Sequence, residues 1–114
     1  MKQEKLYLTH ILDASERLAR YLPATLQDLA NNEMAQDAII KNLANITESA
    51  SNLEKVTQSA YPDIPWKQIK GMRNILVHNY LGDLSHEEIW RTVKEDLPIL
   101  VKVVKVILKE RYNV

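Results

Sequence analysis

The sequence predicts an all-α domain, an up-and-down bundle of four to five helices spanning residues 1–114. Three observations predict it. Apolar residues recur at helical spacing along most of the chain, and no run alternates as a half-buried strand would. Only two glycines and four prolines interrupt 114 residues. Most of these breakers, Pro23, Pro62, Pro65 and Gly82, fall between the periodic stretches.

The first helix is expected from about Gln3 to Leu22. Leu8, Ile11, Leu12, Ser15, Leu18, Ala19 and Leu22 lie on one stripe of it. Pro23 ends it, because the residue before a proline avoids the α region. A short helical turn is expected over Thr25 to Ala30.

The second long helix is expected over about Met34 to Ser59. Ile39, Leu43, Ile46, Ala50 and Leu53 alternate steps of four and three, which makes a seam for another helix. A second stripe of this helix holds Asn42, Asn45, Ser49 and Asn52. These side chains are small, polar and uncharged. They suit either a weakly polar solvated face or the wall of a polar cleft or close-packed interface.

Tyr61-Pro62-Asp63-Ile64-Pro65 reads as a loop. Pro65 suits the first position of a helix, where its missing N–H costs nothing. A third long helix is expected from about Trp66 towards Tyr80, closed by Gly82 in a left-handed conformation. The next start is marked by Ser85 and Glu88, an S-x-x-E capping box, with Leu84 and Ile89 as its hydrophobic staple. The fourth helix begins at His86. Pro98 is expected to kink or split it before an aliphatic tail runs to about Arg111. Leu100, Val101, Val103, Val104, Val106, Ile107 and Leu108 are too many apolar residues for one stripe. That tail is therefore buried on two sides within the fold or covered by a second subunit.

Composition narrows the function classes. A chain of this length buries roughly two-thirds of its unfolded surface and can hold one core. It contains no cysteine, so disulfides and thiolate metal sites are excluded. No signal peptide or membrane span is expected, since the aliphatic tail is broken by Lys102 and Lys105. A cytoplasmic location fits these features. Fifteen basic residues balance 15 acidic ones, which argues against a dedicated duplex-DNA binder. The balance is local at one place. Between Ile64 and Gly82 there is no Asp or Glu, while Lys67, Lys70 and Arg73 fall there with His78.

Residues 73–80 read R-N-I-L-V-H-N-Y. Arg73 offers a planar fork of donors that matches phosphate oxygens. An unperturbed imidazole such as that of His78 titrates near ~6.5 and can move a proton at neutral pH. Tyr80 supplies a hydroxyl that can bond or be modified. Arginine and histidine without a carboxylate cluster suit metal-independent phosphodiester chemistry on RNA, where the 2′-OH is the nucleophile. An imidazole can deprotonate that hydroxyl or protonate the leaving 5′-oxygen, and a guanidinium can stabilise the phosphorane between them.

Helix geometry resists this arrangement. Five residues of an ideal helix turn about 500°, which leaves Arg73 and His78 about 140° apart, whereas Arg73 and Tyr80 share a face. A loosened helix end or a two-fold partner would have to bring Arg73 and His78 together. The same residues are also compatible with a polar helix end, in which His78 meets terminal carbonyls and Arg73 snorkels.

The octamer R-N-I-L-V-H-N-Y resembles the R-x4-H-x-Y signature of HEPN domains of the HepT-like toxin type. Three further segments resemble that family in the same order along the chain. They are A-Q-D-A-I-I-K-N-L-A-N-I-T-E-S-A-S-N-L at 35–53, I-P-W-K-Q-I-K-G-M-R-N at 64–74 and I-W-R-T-V-K-E-D-L-P at 89–98. The resemblance implies a dimerising all-α HEPN-like domain with the motif near the dimer interface. It implies a metal-independent endoribonuclease that needs no cofactor and acts as the toxin of a toxin–antitoxin pair. Its partner would be a small MntA-like nucleotidyltransferase that transfers AMP to the motif tyrosine.

Carried over by position, Arg73 and His78 are catalytic and Tyr80 is the AMP acceptor. Asn42 and Glu48 belong to the family's polar second-helix segment and, with Lys67 and Lys70, are candidate RNA or cleft contacts. Thr47 departs from the pattern, since many relatives carry glycine there. An alternative reading makes the chain a non-catalytic nucleotide-binding or helper subunit of a nucleotidyltransferase complex.

Overall fold

The computed structural model describes residues 2–64, 66–69, 71, 72, 76 and 85–114. The chain is all-α, and no strand occurs among the described residues. The helices are α1 (Lys2–Tyr21), α2 (Leu26–Ala30), α3 (Glu33–Ser51), α4 (Lys55–Ala60), α5 (His86–Arg91) and α6 (Leu97–Tyr112). A π-helical stretch, Thr92–Asp96, joins α5 to α6. Residues 66–69, 71, 72 and 76 are helical as well. The expected left-handed residue Gly82, the staple residue Leu84 and Pro65 lie outside the described residues.

Helix α1 packs along both α3 and α6. Leu8, Ile11 and Leu18 of α1 meet a core that includes Ile39, Leu43 and Ile46 of α3 and Leu100, Val104 and Ile107 of α6. Each of these side chains is almost wholly removed from water. Burying one contributes roughly 1.5–3 kcal/mol. The seam expected on the second helix is therefore real, and Ala50 and Leu53 are buried with it. On α1 the expected stripe is divided. Leu12, Ser15, Ala19 and Leu22 stay partly or fully exposed, and Ala14 joins the core in their place.

Local signals set most boundaries as expected. Leu22 N–H still donates to the Leu18 carbonyl at 3.0 Å before Pro23 stops α1. The Thr25 hydroxyl accepts from Asp28 N–H at 3.1 Å and caps α2. Asn32 caps α3 by accepting from Ala35 N–H at 3.0 Å. The Gln36 side chain donates to the Leu29 carbonyl at 2.8 Å and closes the corner between the two helices. Ser85 accepts from Glu88 N–H at 3.3 Å, as the capping box requires.

One expectation is corrected. The helix expected over Met34 to Ser59 is two helices. Helix α3 ends at Ser51, Asn52 and Leu53 close it with tight turns, and Glu54 is extended at φ −64° and ψ 146° before α4 begins. The Asn52 side chain donates to the Glu48 carbonyl at 2.8 Å and satisfies an orphan acceptor of the helix end. The new start is capped from a distant part of the chain. Glu4 Oε2 accepts from Glu54 N–H at 2.9 Å and from the Thr57 hydroxyl at 2.7 Å.

The split expected at Pro98 is present in a mild form: α5 ends at Arg91 and α6 begins at Leu97, with a π-helical stretch between them. The helical path runs on from His86 to Tyr112 because the turn before the proline widens. Leu97 N–H reaches back five residues to the Thr92 carbonyl. Proline lacks the N–H that a regular α-turn would use, and the π-turn rearranges the hydrogen bonds around that gap.

Gly71 lies in a helical position, and a Cβ built on it meets nothing within 4 Å. Gly71→Ala should therefore stabilise the chain by about 0.5–1 kcal/mol through helix propensity and a less free unfolded chain. Thermal melting should show a rise of a few degrees, and a fall would mean that this space is needed.

Candidate functional site

Arg73, His78 and Tyr80, and with them Lys70, lie outside the described residues. The chain that leads to them is well anchored. Ile64, Ile69 and Met72 are each at most 3% exposed. Trp66 N–H donates to the Ile64 carbonyl at 2.7 Å, and the Trp66 indole N–H donates to the Tyr61 carbonyl at 3.2 Å. The sulfur of Met72 lies 3.7 Å from the Thr47 hydroxyl. The residue immediately before Arg73 is thus seated against α3.

Thr47 explains part of its departure from the family pattern. Its hydroxyl donates to the Leu43 carbonyl at 2.9 Å, which removes its polarity from the packing. The rest of the side chain fills the contact between α3 and Met72. A glycine would leave that space to other groups.

The remaining candidate residues fall in different environments. Asn42 is buried between α1 and α3, not on an open wall. Its amide oxygen accepts from Arg17 Nε at 3.2 Å and its amide nitrogen donates to the Ala38 carbonyl at 2.8 Å. Burial of an amide is tolerated when both ends are bonded in this way. Its effect on any ligand would pass through Arg17. Glu48 is exposed on α3, with Oε1 3.5 Å from the Asn52 amide. Lys67 is exposed. The polar stripe is thus mixed, with Asn45 and Asn52 in solvent and Asn42 and Ser49 buried.

A cavity of about 450 Å³ opens beside the anchored segment. Thr47, Ala50 and Ser51 of α3, Lys55 and Gln58 of α4, and Trp66 and Ile69 line it. Among the described residues no carboxylate belongs to that lining. Sequence reading missed this cavity. Trp66 was visible in I-P-W, but its neighbours come into place only through the break between α3 and α4.

A second polar feature sits on the π-helical stretch. Thr92 is 1% exposed, and its hydroxyl has no partner among the described residues. Asp96 is also buried and pairs with Arg91 at 3.4 Å. Among the described residues no cluster of three or more His, Asp or Glu is placed to hold a metal ion, and no helix is long and apolar enough to cross a membrane.

An all-α architecture that carries R-x4-H-x-Y after an anchored helical approach defines a small HEPN-like domain. Comparison with known proteins makes the class specific. The family model described as "Ribonuclease HepT-like" matches residues 11–107, and the chain belongs to the HepT-like ribonuclease family. It is 35% identical over 111 residues to "Putative RNase TTE0752" of Caldanaerobacter subterraneus subsp. tengcongensis, covering 96% of this chain and 98% of that one. It is 32% identical over 100 residues to "Probable ribonuclease HepT" of Thermococcus cleftensis, covering 87% and 90% of the two chains. It is also 35% identical over 122 residues to "Gamma-glutamylcyclotransferase and putative RNase MJ0434" of Methanocaldococcus jannaschii. That match covers 99% of this chain and 54% of the longer protein. No solved structure matches the chain.

Proposed function

We propose that this chain is a metal-independent endoribonuclease and the toxin of a toxin–antitoxin pair. The observation that carries the reading is the family match over residues 11–107, within which R-x4-H-x-Y falls. His78 moves the proton of the 2′-hydroxyl or of the leaving 5′-oxygen, and Arg73 binds the phosphate whose charge grows in the phosphorane. The 2′-oxygen forms its bond to phosphorus as the bond to the 5′-oxygen breaks. The products are a 2′,3′-cyclic phosphate and a 5′-hydroxyl.

The cut is silenced by a separate MntA-like nucleotidyltransferase that places AMP on Tyr80. A phosphodiester there adds negative charge seven residues from Arg73, a spacing that an ideal helix would place on one face. It competes with the RNA phosphate for the guanidinium and fills the approach. The chain acts as a homodimer. Consistent with this, α6 exposes Ile99 and Val106 at 46% and 40%, seven residues apart on the helix.

The test is direct. The purified chain, freed of its partner, should cleave RNA in EDTA and leave cyclic phosphate ends. Cleavage that needs a divalent ion, or that leaves other ends, would reject the mechanism. Intact mass should rise by whole AMP units when the nucleotidyltransferase and ATP are supplied. The rise should vanish in Tyr80→Phe, and persistence of the shift there would place the modification elsewhere.

A further inference from the structure

We propose that the cavity between α3, α4 and Trp66 receives one unpaired base of the RNA substrate. This rests on the ribonuclease reading and adds to it a site that selects the base.

The lining has the composition that base recognition needs. Trp66 is half-buried and held at its edge by the indole N–H bond to Tyr61, so its ring is fixed before a ligand arrives. Stacking on an aromatic face is how single-stranded RNA is commonly gripped, because every base has a π-face. Ala50 and Ile69 supply apolar surface around the ring. Gln58 donates to the Leu53 carbonyl at 2.9 Å, which fixes its carboxamide. Its amide oxygen has no partner among the described residues and can accept from a base N–H. The Ser51 hydroxyl donates to the Glu48 carbonyl at 2.8 Å and keeps acceptor capacity.

Charge and size agree with this occupant. Lys55 is exposed and lines the cavity, so one cation stands at it for an adjoining phosphate. Among the described residues the lining carries no acid. A volume of about 450 Å³ is ample for a single base with its sugar at the mouth. A paired base cannot stack on a recessed ring, so the site favours single-stranded or looped RNA. Trp66 and Ile69 also precede Arg73 by seven and four residues in the sequence.

The experiment uses the full chain carrying Trp90→Phe, which leaves Trp66 as the sole tryptophan of the two. A short 2′-O-methyl oligoribonucleotide, uncleavable when the 2′-hydroxyl is the nucleophile, is titrated while Trp66 emission is followed. Emission should be quenched on binding. An abasic nucleotide walked along the oligonucleotide should abolish the quench at one position and weaken binding there about tenfold. Trp66→Leu should weaken the intact oligonucleotide by a similar factor. Ser51→Leu should do the same by filling the cavity from α3, which keeps the test sound if Trp66→Leu fails to fold. Absent binding, unchanged Trp66 emission, or equal small effects at every abasic position overturns the base site. The ribonuclease reading falls separately, only if unmodified RNA survives the cleavage assay.

Discussion

Glu4→Ala should destabilise the chain by about 3–5 kcal/mol and lower its melting temperature by about 12–25 °C. Glu4 is 2% exposed and lies near the start of α1. Its carboxylate collects donors from three separate parts of the chain. Oε2 takes Glu54 N–H and the Thr57 hydroxyl, and Oε1 takes the Tyr112 hydroxyl. One side chain thus ties the first helix to the start of α4 and to the end of α6. Alanine would leave buried donors without acceptors, and Thr57 is fully buried, so water cannot easily replace the lost oxygen.

Glu4→Gln should cost much less, about 1 kcal/mol. The amide oxygen can keep both bonds made by Oε2, and the Tyr112 hydroxyl can turn to accept from the new NH2. Equal losses for the two variants would show that the negative charge, not the bonding pattern, holds the junction.

The same cluster fixes how stability depends on pH. Burial pushes the Glu4 carboxyl up, but hydrogen bonds from Tyr112, Thr57 and the Glu54 backbone, with the Arg111 charge, more than reverse it. The net value is lowered from 4.5. A carboxyl depressed in the folded state stabilises fully above its unfolded value and loses that contribution as pH falls through the folded one. Tyr112 behaves oppositely. Burial and its bond to Glu4 push its hydroxyl up from 10.0 to about 12. Its contribution is complete below about pH 10 and is lost as pH rises towards 12. Urea unfolding across this range should give a plateau with both edges softened in Glu4→Gln. A wild-type curve flat through the acid edge would remove the carboxylate from the account.

These junctions mark the limit of what the sequence displays. The α3 seam is legible because Ile39, Leu43, Ile46, Ala50 and Leu53 announce it by spacing alone. Ser85 is legible as a cap because the group it binds is three residues away. The break at Asn52–Glu54 is not, since Leu53 continues the seam and the acceptor for Glu54 N–H lies fifty residues earlier in the chain. Pro98 is legible as an interruption because it removes an N–H, but the π register that carries the path across it is one that no residue type encodes. Asn42 reads as a solvated, cleft or interface residue, because polarity alone does not reveal Arg17 beside it. For the motif the order is reversed. Arg73, His78 and Tyr80 stand out in the sequence as a candidate motif, while Trp66 gains its neighbours only in three dimensions.

His78→Ala should reduce the cleavage rate by about 10²–10⁴, the usual loss when a proton-transfer group is removed. Arg73→Ala should lose about 10²–10³, as when a donor to developing charge is removed. The double variant should be little slower than the worse single one, because both residues serve one transition state. Arg73→Lys should recover only part of the loss, since a point charge cannot reproduce the bidentate fork. Rates close to the parent in either alanine variant would reject the assignment. Their spacing remains the mechanical difficulty, and the same chain contains a solution to it. Arg91 and Asp96 are also five residues apart, and the π-turn over Thr92–Asp96 brings them to 3.4 Å. A turn of that kind between Arg73 and His78 would unite them within one protomer. Mixing the Arg73→Ala and His78→Ala chains then restores nothing, because every protomer lacks one group. If the site is instead assembled across a two-fold interface, half of the randomly mixed dimers hold one intact site of two, and activity returns to about a quarter of the parent. We expect no restoration, and recovery to that level would move the site to the dimer interface.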